Sequence, residues 1–231
     1  MSKLEGMRWF KTNFAAPIRA KIQNTPLTLD LLTAIAVQES FDDAWGLIYQ
    51  KQNVQDVLVR CVGDTLDSPP RAKDAFPKNR AALEKLKDPD GKQMFKIARA
   101  ALVDLAAFSK GYAAAAKNAN KFCHAYGIFQ YDIQYLQRNP DFFLQSGWAD
   151  FGACLNFCVG ELQGVASALY PGKTILALEE QVYVAIGYNI GPKNVRIGAG
   201  FNQGHKDGNH YYGQNIWDYL HLASTVPDPN P

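Results

Sequence analysis

The sequence predicts a mainly α-helical protein with a single folded domain. The stretch that follows the DPDG turn at 88–91 places Met94, Ala98 and Leu105 on one face at helical spacing. The chain lacks the alternation of strands and helices that a parallel sheet requires. Its composition, 47% hydrophobic and 20% charged residues, is typical of a packed globular core.

Capping residues and helix breakers define the individual elements. Thr28 is a candidate N-cap for a helix that ends at Glu39, and Asn53 is a candidate N-cap for a second helix. Prolines predict a loop at 64–79, and glycines predict another at 198–213. Further helices are predicted at about 79–87, 111–118, 149–169, 178–188 and 214–223, with a short hairpin at 40–52 or near 126–132.

The charge distribution limits the classes of partner. A net charge of +2 is too small to predict nucleic-acid binding. Residues 71–121, however, contain twelve Lys or Arg and five Asp or Glu, a local net charge of +7. This basic segment predicts either contact with an anionic surface or the solvated outer faces of helices. No apolar stretch approaches the roughly 20 residues that span a bilayer.

Glu39 is the residue most indicative of function. It shares a helical face with Leu32, Ile35 and Ala36, which are all apolar. Burial makes a carboxyl group costly to ionise, so the pKa of Glu39 is expected to rise. A carboxylic acid that stays protonated near neutral pH can act as a general acid, for example in breaking a glycosidic bond. The alternative is a helix-end glutamate that turns into solvent.

Four short motifs follow one another along the chain: ES at 39–40, YGIFQYD at 126–132, LNFCVG at 155–160 and GYNIGPKNVR at 187–196. Together and in this order they resemble the lysozyme-like superfamily of goose-type lysozymes and soluble lytic transglycosylases. The resemblance covers positions 28–40 and 124–197. It implies a lysozyme-like α-helical (α+β) fold and an activity that needs no metal or organic cofactor.

The resemblance also suggests a domain organisation. A lysozyme-like catalytic domain is predicted at 28–224, after an N-terminal extension at 1–27 and before a tail at 225–231. The connection between Glu39 and Gly127 is longer than is usual in the family, which predicts a basic helical insertion at about 50–120.

The resemblance assigns roles to individual residues. Glu39 matches the catalytic acid of the family. A glycine at 127 allows a sugar to approach the backbone closely, and the amide of Gln130 can both donate to and accept from sugar hydroxyls. The expected substrate-binding residues are Ser40, Gly127, Gln130, Tyr188 and Asn189. Simple helix capping is the alternative for Ser40 and for the pair Tyr188 and Asn189.

A second carboxylate would decide between hydrolysis and transglycosylation. An inverting hydrolase needs a base about 6.5–9.5 Å from the acid to hold the attacking water. Asp132 matches the position of an aspartate in goose-type lysozymes, and Asp42 and Asp43 are further candidates. Asp132 therefore favours hydrolysis, with an N-cap role as its alternative.

The sequence thus predicts a glycoside hydrolase, most consistent with an inverting enzyme, that cleaves β-1,4 linkages between N-acetylmuramic acid and N-acetylglucosamine in peptidoglycan. The alternatives are a lytic transglycosylase that forms 1,6-anhydro ends, a chitinase acting on N-acetylglucosamine polymers, and a non-catalytic lysozyme-fold binding or structural module. Such a protein is expected to be exported, periplasmic or extracellular, although residues 1–14 show no signal-peptide pattern.

The four cysteines are interpreted as buried free thiols. A zinc site formed by Cys123, Cys154, Cys158 and a histidine is the alternative, although the spacing fits no compact metal-binding motif.

Overall fold

A computed structural model describes residues 2–67, 72–73 and 75–229. Helices account for 59% of the chain and strands for 4%, which confirms the prediction of a mainly α-helical protein. Parts of the predicted 64–79 loop, of the basic segment 71–121 and of the 225–231 tail lie outside the described residues.

Ten α-helices are present in the described part of the chain. They are α1 Lys3–Ile22, α2 Leu29–Ser40, α3 Val54–Val59, α4 Arg80–Glu84, α5 Gly91–Ala106, α6 Ala113–Lys117, α7 Pro140–Leu144, α8 Phe151–Leu169, α9 Leu178–Ile190 and α10 Tyr212–Ser224. Short 3₁₀ helices occur at Trp45–Leu47, Lys110–Tyr112, Ile133–Tyr135, Gly147–Ala149 and Pro192–Asn194.

The described residues also form two small antiparallel sheets. In the first, β1 (Val62–Gly63), β2 (Ala125–Tyr126) and β3 (Tyr131–Asp132) are arranged in that order. The second pairs β4 (Lys206–Asp207) with β5 (His210–Tyr211).

The structure confirms some of the local predictions and corrects others. The Thr28 hydroxyl accepts the Leu31 N–H at 3.1 Å, and the Asn53 side chain accepts the Asp56 N–H at 2.9 Å, so both predicted caps are present. The hairpin near 126–132 is confirmed, whereas the alternative at 40–52 is wrong because that stretch forms turns and a 3₁₀ helix. The glycine-rich stretch 198–213 also contains a hairpin, formed by β4 and β5.

The helix α1 was not predicted, because its stretch was assigned only to an extension. It buries Met7, Phe10, Phe14 and Ile18 along one side. These positions are spaced by three or four residues, the signature of an amphipathic helix.

The chain forms two compact units. Unit 1 comprises Met1–Glu39 and Leu155–Pro231, and unit 2 comprises Ser40–Cys154. The chain passes from one unit to the other within α2 and again within α8. The domain boundaries expected from the resemblance remain predictions.

Each unit has its own apolar core. In unit 1, α1, α2, α9 and α10 contribute fully buried residues such as Phe10, Ile35, Val184 and Leu220. In unit 2, the core contains an aromatic cluster, in which the Tyr126 ring lies 4.9 Å from Trp148 and 5.4 Å from Phe143, measured between centroids. No helix among the described residues is long and apolar enough to cross a membrane.

Candidate active site

Glu39 lies in the last turn of α2 and ends the first of the two segments of unit 1. Its side chain is partly buried, and the Tyr212 hydroxyl donates a hydrogen bond to its Oε1 atom at 2.7 Å. Burial raises the pKa of Glu39 from 4.5 to about 7, and the hydrogen bond from Tyr212 opposes part of that rise. The carboxyl group is therefore about half protonated at neutral pH, as a general acid requires.

Two glycines allow Tyr212 to reach this position. A Cβ atom on Gly213, the next residue, would lie 2.6 Å from the Phe201 carbonyl oxygen and 2.7 Å from Ile186 Cδ1. A Cβ atom on Gly204 would lie 2.6 Å from Tyr212 Cβ. The first turn of α10 therefore packs against α9 and against the 201–204 segment more closely than residues with side chains would permit.

Tyr188, on the last turn of α9, is the second tyrosine of this cluster. Its hydroxyl hydrogen-bonds with the Cys158 thiol of α8. Burial raises the pKa of Tyr188 well above its usual value, and Cys158 and Glu39 raise it further. Burial is also the largest cause of the raised pKa of Tyr212, and the negative charge of Glu39 is the second cause. Both phenols therefore remain protonated donors over the pH range in which Glu39 titrates.

Asn189 is held by the segment that leads into the β4–β5 hairpin. Its Oδ1 atom accepts the His205 N–H at 2.8 Å and lies 3.0 Å from His205 Nδ1. Gly204, at φ +88°, brings this segment to Asn189, because an added Cβ would lie 3.0 Å from Asn189 Oδ1. The amide oxygen of Asn189 thus positions a loop, and its role toward a sugar stays a prediction.

The loop between α9 and α10 is fixed by buried Gln203. The Gln203 side chain accepts the Arg196 N–H at 2.8 Å, and it donates to the carbonyl oxygens of Arg196 and Gly200. The Tyr183 hydroxyl accepts the Gly198 N–H at 2.9 Å. These bonds satisfy backbone N–H and carbonyl groups of a glycine-rich segment.

The remaining predicted residues belong to unit 2. The buried Ser40 hydroxyl donates to the Ile128 carbonyl oxygen at 2.7 Å, which ties the end of α2 to the 127–130 loop between β2 and β3. The Ser40 hydroxyl therefore bonds to a distant segment of the chain, whereas the simple helix cap considered as the alternative for Ser40 would bond within α2.

Gly127 and Gln130 define the conformation of that loop. Gly127 has φ +78°, and a Cβ atom there would lie 2.4 Å from Cys154 Sγ. The Cys154 thiol is therefore the group whose close approach requires a glycine at this position. The Gln130 side-chain amide donates to the Gly127 carbonyl oxygen at 2.8 Å, and Gln130 itself has φ +54°. The predicted contacts of both residues with a sugar stay predictions.

The candidate second carboxylates also lie in unit 2. Asp132 accepts the Gln134 N–H at 2.7 Å at the start of the 3₁₀ helix Ile133–Tyr135. The N-cap interpretation of Asp132 is thus observed, and its role as a base stays a prediction. Asp42 and Asp43 are exposed in the turn that follows α2.

The four cysteines are buried and unbridged. Burial raises the pKa values of Cys61, Cys123 and Cys154 above the ordinary thiol value, so these thiols are poor nucleophiles. Within the described ranges, no group of three or more histidine, cysteine or acidic side chains is arranged to hold a metal ion.

Two residues of the cluster were missed by sequence reasoning. Tyr212 lies 173 positions from Glu39, and no local pattern connects them. Tyr212 lies in the closing segment HYYGQNIWDYL at 210–220, whose three tyrosines carry no pattern that distinguishes one of them. Cys158 lies within the LNFCVG motif but was considered only as a thiol or a zinc ligand.

Replacing Tyr212 with Phe should raise the pKa of Glu39 further. The lost hydrogen bond favours the carboxylate, so its removal leaves burial unopposed. A ¹³C NMR titration of the glutamate carboxyl carbons would show the Glu39 transition moving to higher pH. Tyr211→Phe, at the neighbouring position, should leave that transition in place, and a shift of the Y212F transition to lower pH would contradict this account.

No protein family matches the chain, and neither a curated protein nor a solved structure matches it.

Proposed function

We propose that the protein is a lysozyme-like glycosidase that cleaves β-1,4 glycosidic bonds in peptidoglycan, with Glu39 as the general acid. The observation that supports this proposal is the cluster of Glu39, Tyr212 and Tyr188, in which the acid has a pKa of about 7. Carboxylic acids whose pKa is raised into this range by burial are typical proton donors of glycosidases. The order of the four sequence motifs supports the same assignment.

The hydrogen bond from Tyr212 suggests which oxygen carries the proton. Because Oε1 accepts from the tyrosine, the proton of the neutral acid is assigned to Oε2. In the proposed reaction, Oε2–H protonates the glycosidic oxygen while the bond from that oxygen to the anomeric carbon breaks. Glu39 is left as a carboxylate, which the Tyr212 hydroxyl stabilises until the proton is replaced from solvent.

The fate of the anomeric carbon depends on the nucleophile. In hydrolysis, a water adds its oxygen to that carbon and gives its proton to a base, the role that the resemblance assigns to Asp132 or to an aspartate at 42–43. Lytic transglycosylation is the second candidate, in which a hydroxyl of the muramic acid residue attacks the anomeric carbon, gives its proton to the Glu39 carboxylate in place of a proton from solvent, and closes a 1,6-anhydro ring. The engagement of Asp132 with the Gln134 N–H favours this second candidate, since it gives Asp132 a structural function.

Product masses should separate these reactions. Digestion of purified peptidoglycan is expected to release muropeptides, and hydrolysis makes each one heavier by one water than its anhydro counterpart. Mass spectrometry of the digest, with Asp132→Asn beside wild type, checks this directly. Hydrated ends that disappear with Asp132→Asn would support the inverting hydrolase, whereas anhydro ends formed by both proteins would establish the transglycosylase.

Parallel digestion of chitin oligomers tests the substrate. Release of N-acetylglucosamine fragments from chitin but not from cell walls would establish a chitinase on the same proposed fold. Wild-type protein that releases nothing from either polymer would overturn the enzyme proposal in favour of a binding or structural module.

The proposal includes contact with an anionic surface through the basic segment 71–121. Its described part exposes Lys85, Lys92, Lys96 and Lys117 to solvent. Carboxylates of the peptide stems would give peptidoglycan the complementary charge. An exported, periplasmic or extracellular setting for this activity is likewise part of the proposal.

A further inference from the structure

Unit 1 contains a cavity where the α1–α2 connection meets the C-terminal end of α8. Its volume is about 200 Å³, and its lining includes Asn24, Gln163, Ser167, Tyr170 and Lys173. A water molecule occupies roughly 30 Å³ in the liquid. One bridging water would therefore leave most of this cavity empty.

Tyr170 supplies an unusual feature of the cavity. Its hydroxyl oxygen is buried and has no hydrogen-bond partner among the described residues. Burial raises the pKa of Tyr170 to about 12, so the phenol is a neutral group that can both donate and accept. A buried hydroxyl without a partner is costly, and a ligand hydroxyl would remove that cost.

The charge of the cavity favours a neutral ligand. Lys173 is the cationic residue of its lining, and the Lys173 ammonium group is paired with Glu180 at 2.5 Å. The other polar lining groups are the amides of Asn24 and Gln163 and the hydroxyl of Ser167. Amides, hydroxyls and an aromatic ring together are suited to a ring that carries several hydroxyl or amide groups.

The cavity is distinct from the Glu39 cluster. Both involve α8, but Cys158 contacts the cluster from the middle of this helix, and Tyr170 follows its last residue. At 1.5 Å per helical residue, these positions are roughly 18 Å apart along the helix. A sugar ring in the cavity would therefore not occupy the position of the bond that Glu39 cleaves.

We propose that this cavity is an accessory site for one neutral amino-sugar residue, with Tyr170 as its buried hydrogen-bonding partner. The choice of an amino sugar rests on the proposed function, because the polymer that Glu39 would cleave consists of such residues. The site would hold part of a glycan on unit 1 independently of cleavage.

N-acetylglucosamine is the probe for this site, titrated into Glu39→Gln protein and followed by ¹⁵N NMR. The amide signals of Asn24, Ser167 and Gly172 are expected to shift as N-acetylglucosamine is added and to reach a plateau when the site is full. Tyr170→Phe should weaken the apparent affinity by about fivefold to tenfold, the effect of one hydrogen bond. Tyr219→Phe, on α10, is the control and should bind as its parent does.

Ser167→Trp gives a second test, because an indole at this exposed position would fill the cavity while Tyr170 stays in place. Ser167→Trp should abolish the shifts that N-acetylglucosamine causes at Asn24 and Gly172. The amide signals away from the cavity should stay where they are in the parent protein, which shows that the variant is folded. Absence of shifts at these residues at millimolar probe, or equal binding by Y170F and its parent, would overturn the proposal. Shifts confined to the neighbours of Glu39 would also overturn the accessory site while leaving the proposed function intact, since the latter is measured by cleavage.

Discussion

Replacing Glu39 with Gln is expected to lower the rate of cell-wall cleavage by about 10²–10⁴-fold, the usual contribution of a general acid. Glutamine has nearly the same size, and its side-chain oxygen can accept the hydrogen bond that Tyr212 now gives to Oε1. The variant should therefore fold and lose only the proton. Rates of muropeptide release under saturating and limiting substrate measure the effect.

Exposed Glu179, in the first turn of α9, provides the matched control. Glu179→Gln removes the same charge and should retain the wild-type rate. A Glu39→Gln protein that cleaves walls as fast as wild type would contradict the assignment of Glu39 as the acid.

The same substitution should stabilise the protein at alkaline pH. The pKa of Glu39 is about 7 in the folded state and 4.5 in its ordinary environment, so folding is penalised as pH rises from 4.5 through 7. Glutamine avoids this penalty. Because the side chain is partly exposed, the gain at pH 8 should be about 2–3 kcal/mol and should vanish below about pH 4.5. Chemical denaturation at both pH values measures it, and a gain that is equal at both would contradict the raised pKa.

Replacing Lys11 with Met is expected to destabilise unit 1 by about 3–5 kcal/mol, since it leaves buried oxygens without a cation. The Lys11 side chain is 2% exposed, and its ammonium group lies 2.6 Å from Asp30 and 3.0 Å from Asp228. It also donates to the carbonyl oxygens of Ala223 and Val226, both at 2.9 Å. Lys11 thus joins α1 to the first turn of α2 and to the end of α10.

The free energy of unfolding at neutral pH measures the Lys11 effect. Lys21→Met, at an exposed position on the same helix, is the control and should change stability by no more than about 0.5 kcal/mol. Equal effects of the two substitutions would contradict this prediction, because they would show that the buried ammonium group of Lys11 adds no more to the free energy of unfolding than the exposed ammonium group of Lys21. Truncation before Asp228 should produce a smaller loss than Lys11→Met, because the two carbonyls and Asp30 would keep their cation.

Much of the helical structure was predictable because its signals are local. Thr28 and Asn53 act as caps through bonds to residues three positions away, and the buried face of α5 repeats at helical spacing. The helix α1 carries the same signal but was assigned to an extension outside the resemblance. The hairpin at 206–211 was missed because the glycines of the stretch 198–213 indicate an irregular loop.

The chemistry of the candidate site was only partly predictable. The apolar face around Glu39 correctly indicated a raised pKa, since burial is the first cause of the shift. The hydrogen-bond donor Tyr212 could not be inferred, because its position depends on the close approach that Gly204 and Gly213 permit. Similarly, the residue type of Gln130 suggested sugar binding, whereas its amide nitrogen bonds to the Gly127 carbonyl within the same loop.

The proposed role of Glu39 is that of a partly buried acid that delivers its proton to a glycosidic bond. Its most direct test is the rate of clearance of a purified cell-wall suspension between pH 5 and pH 9, compared with a ¹³C titration of the Glu39 carboxyl group. We expect kcat/KM to fall as pH rises through about 7, in step with loss of the Glu39 proton. Clearance that is equally fast at pH 9, or a Glu39 carboxyl group that titrates near 4.5, would contradict it.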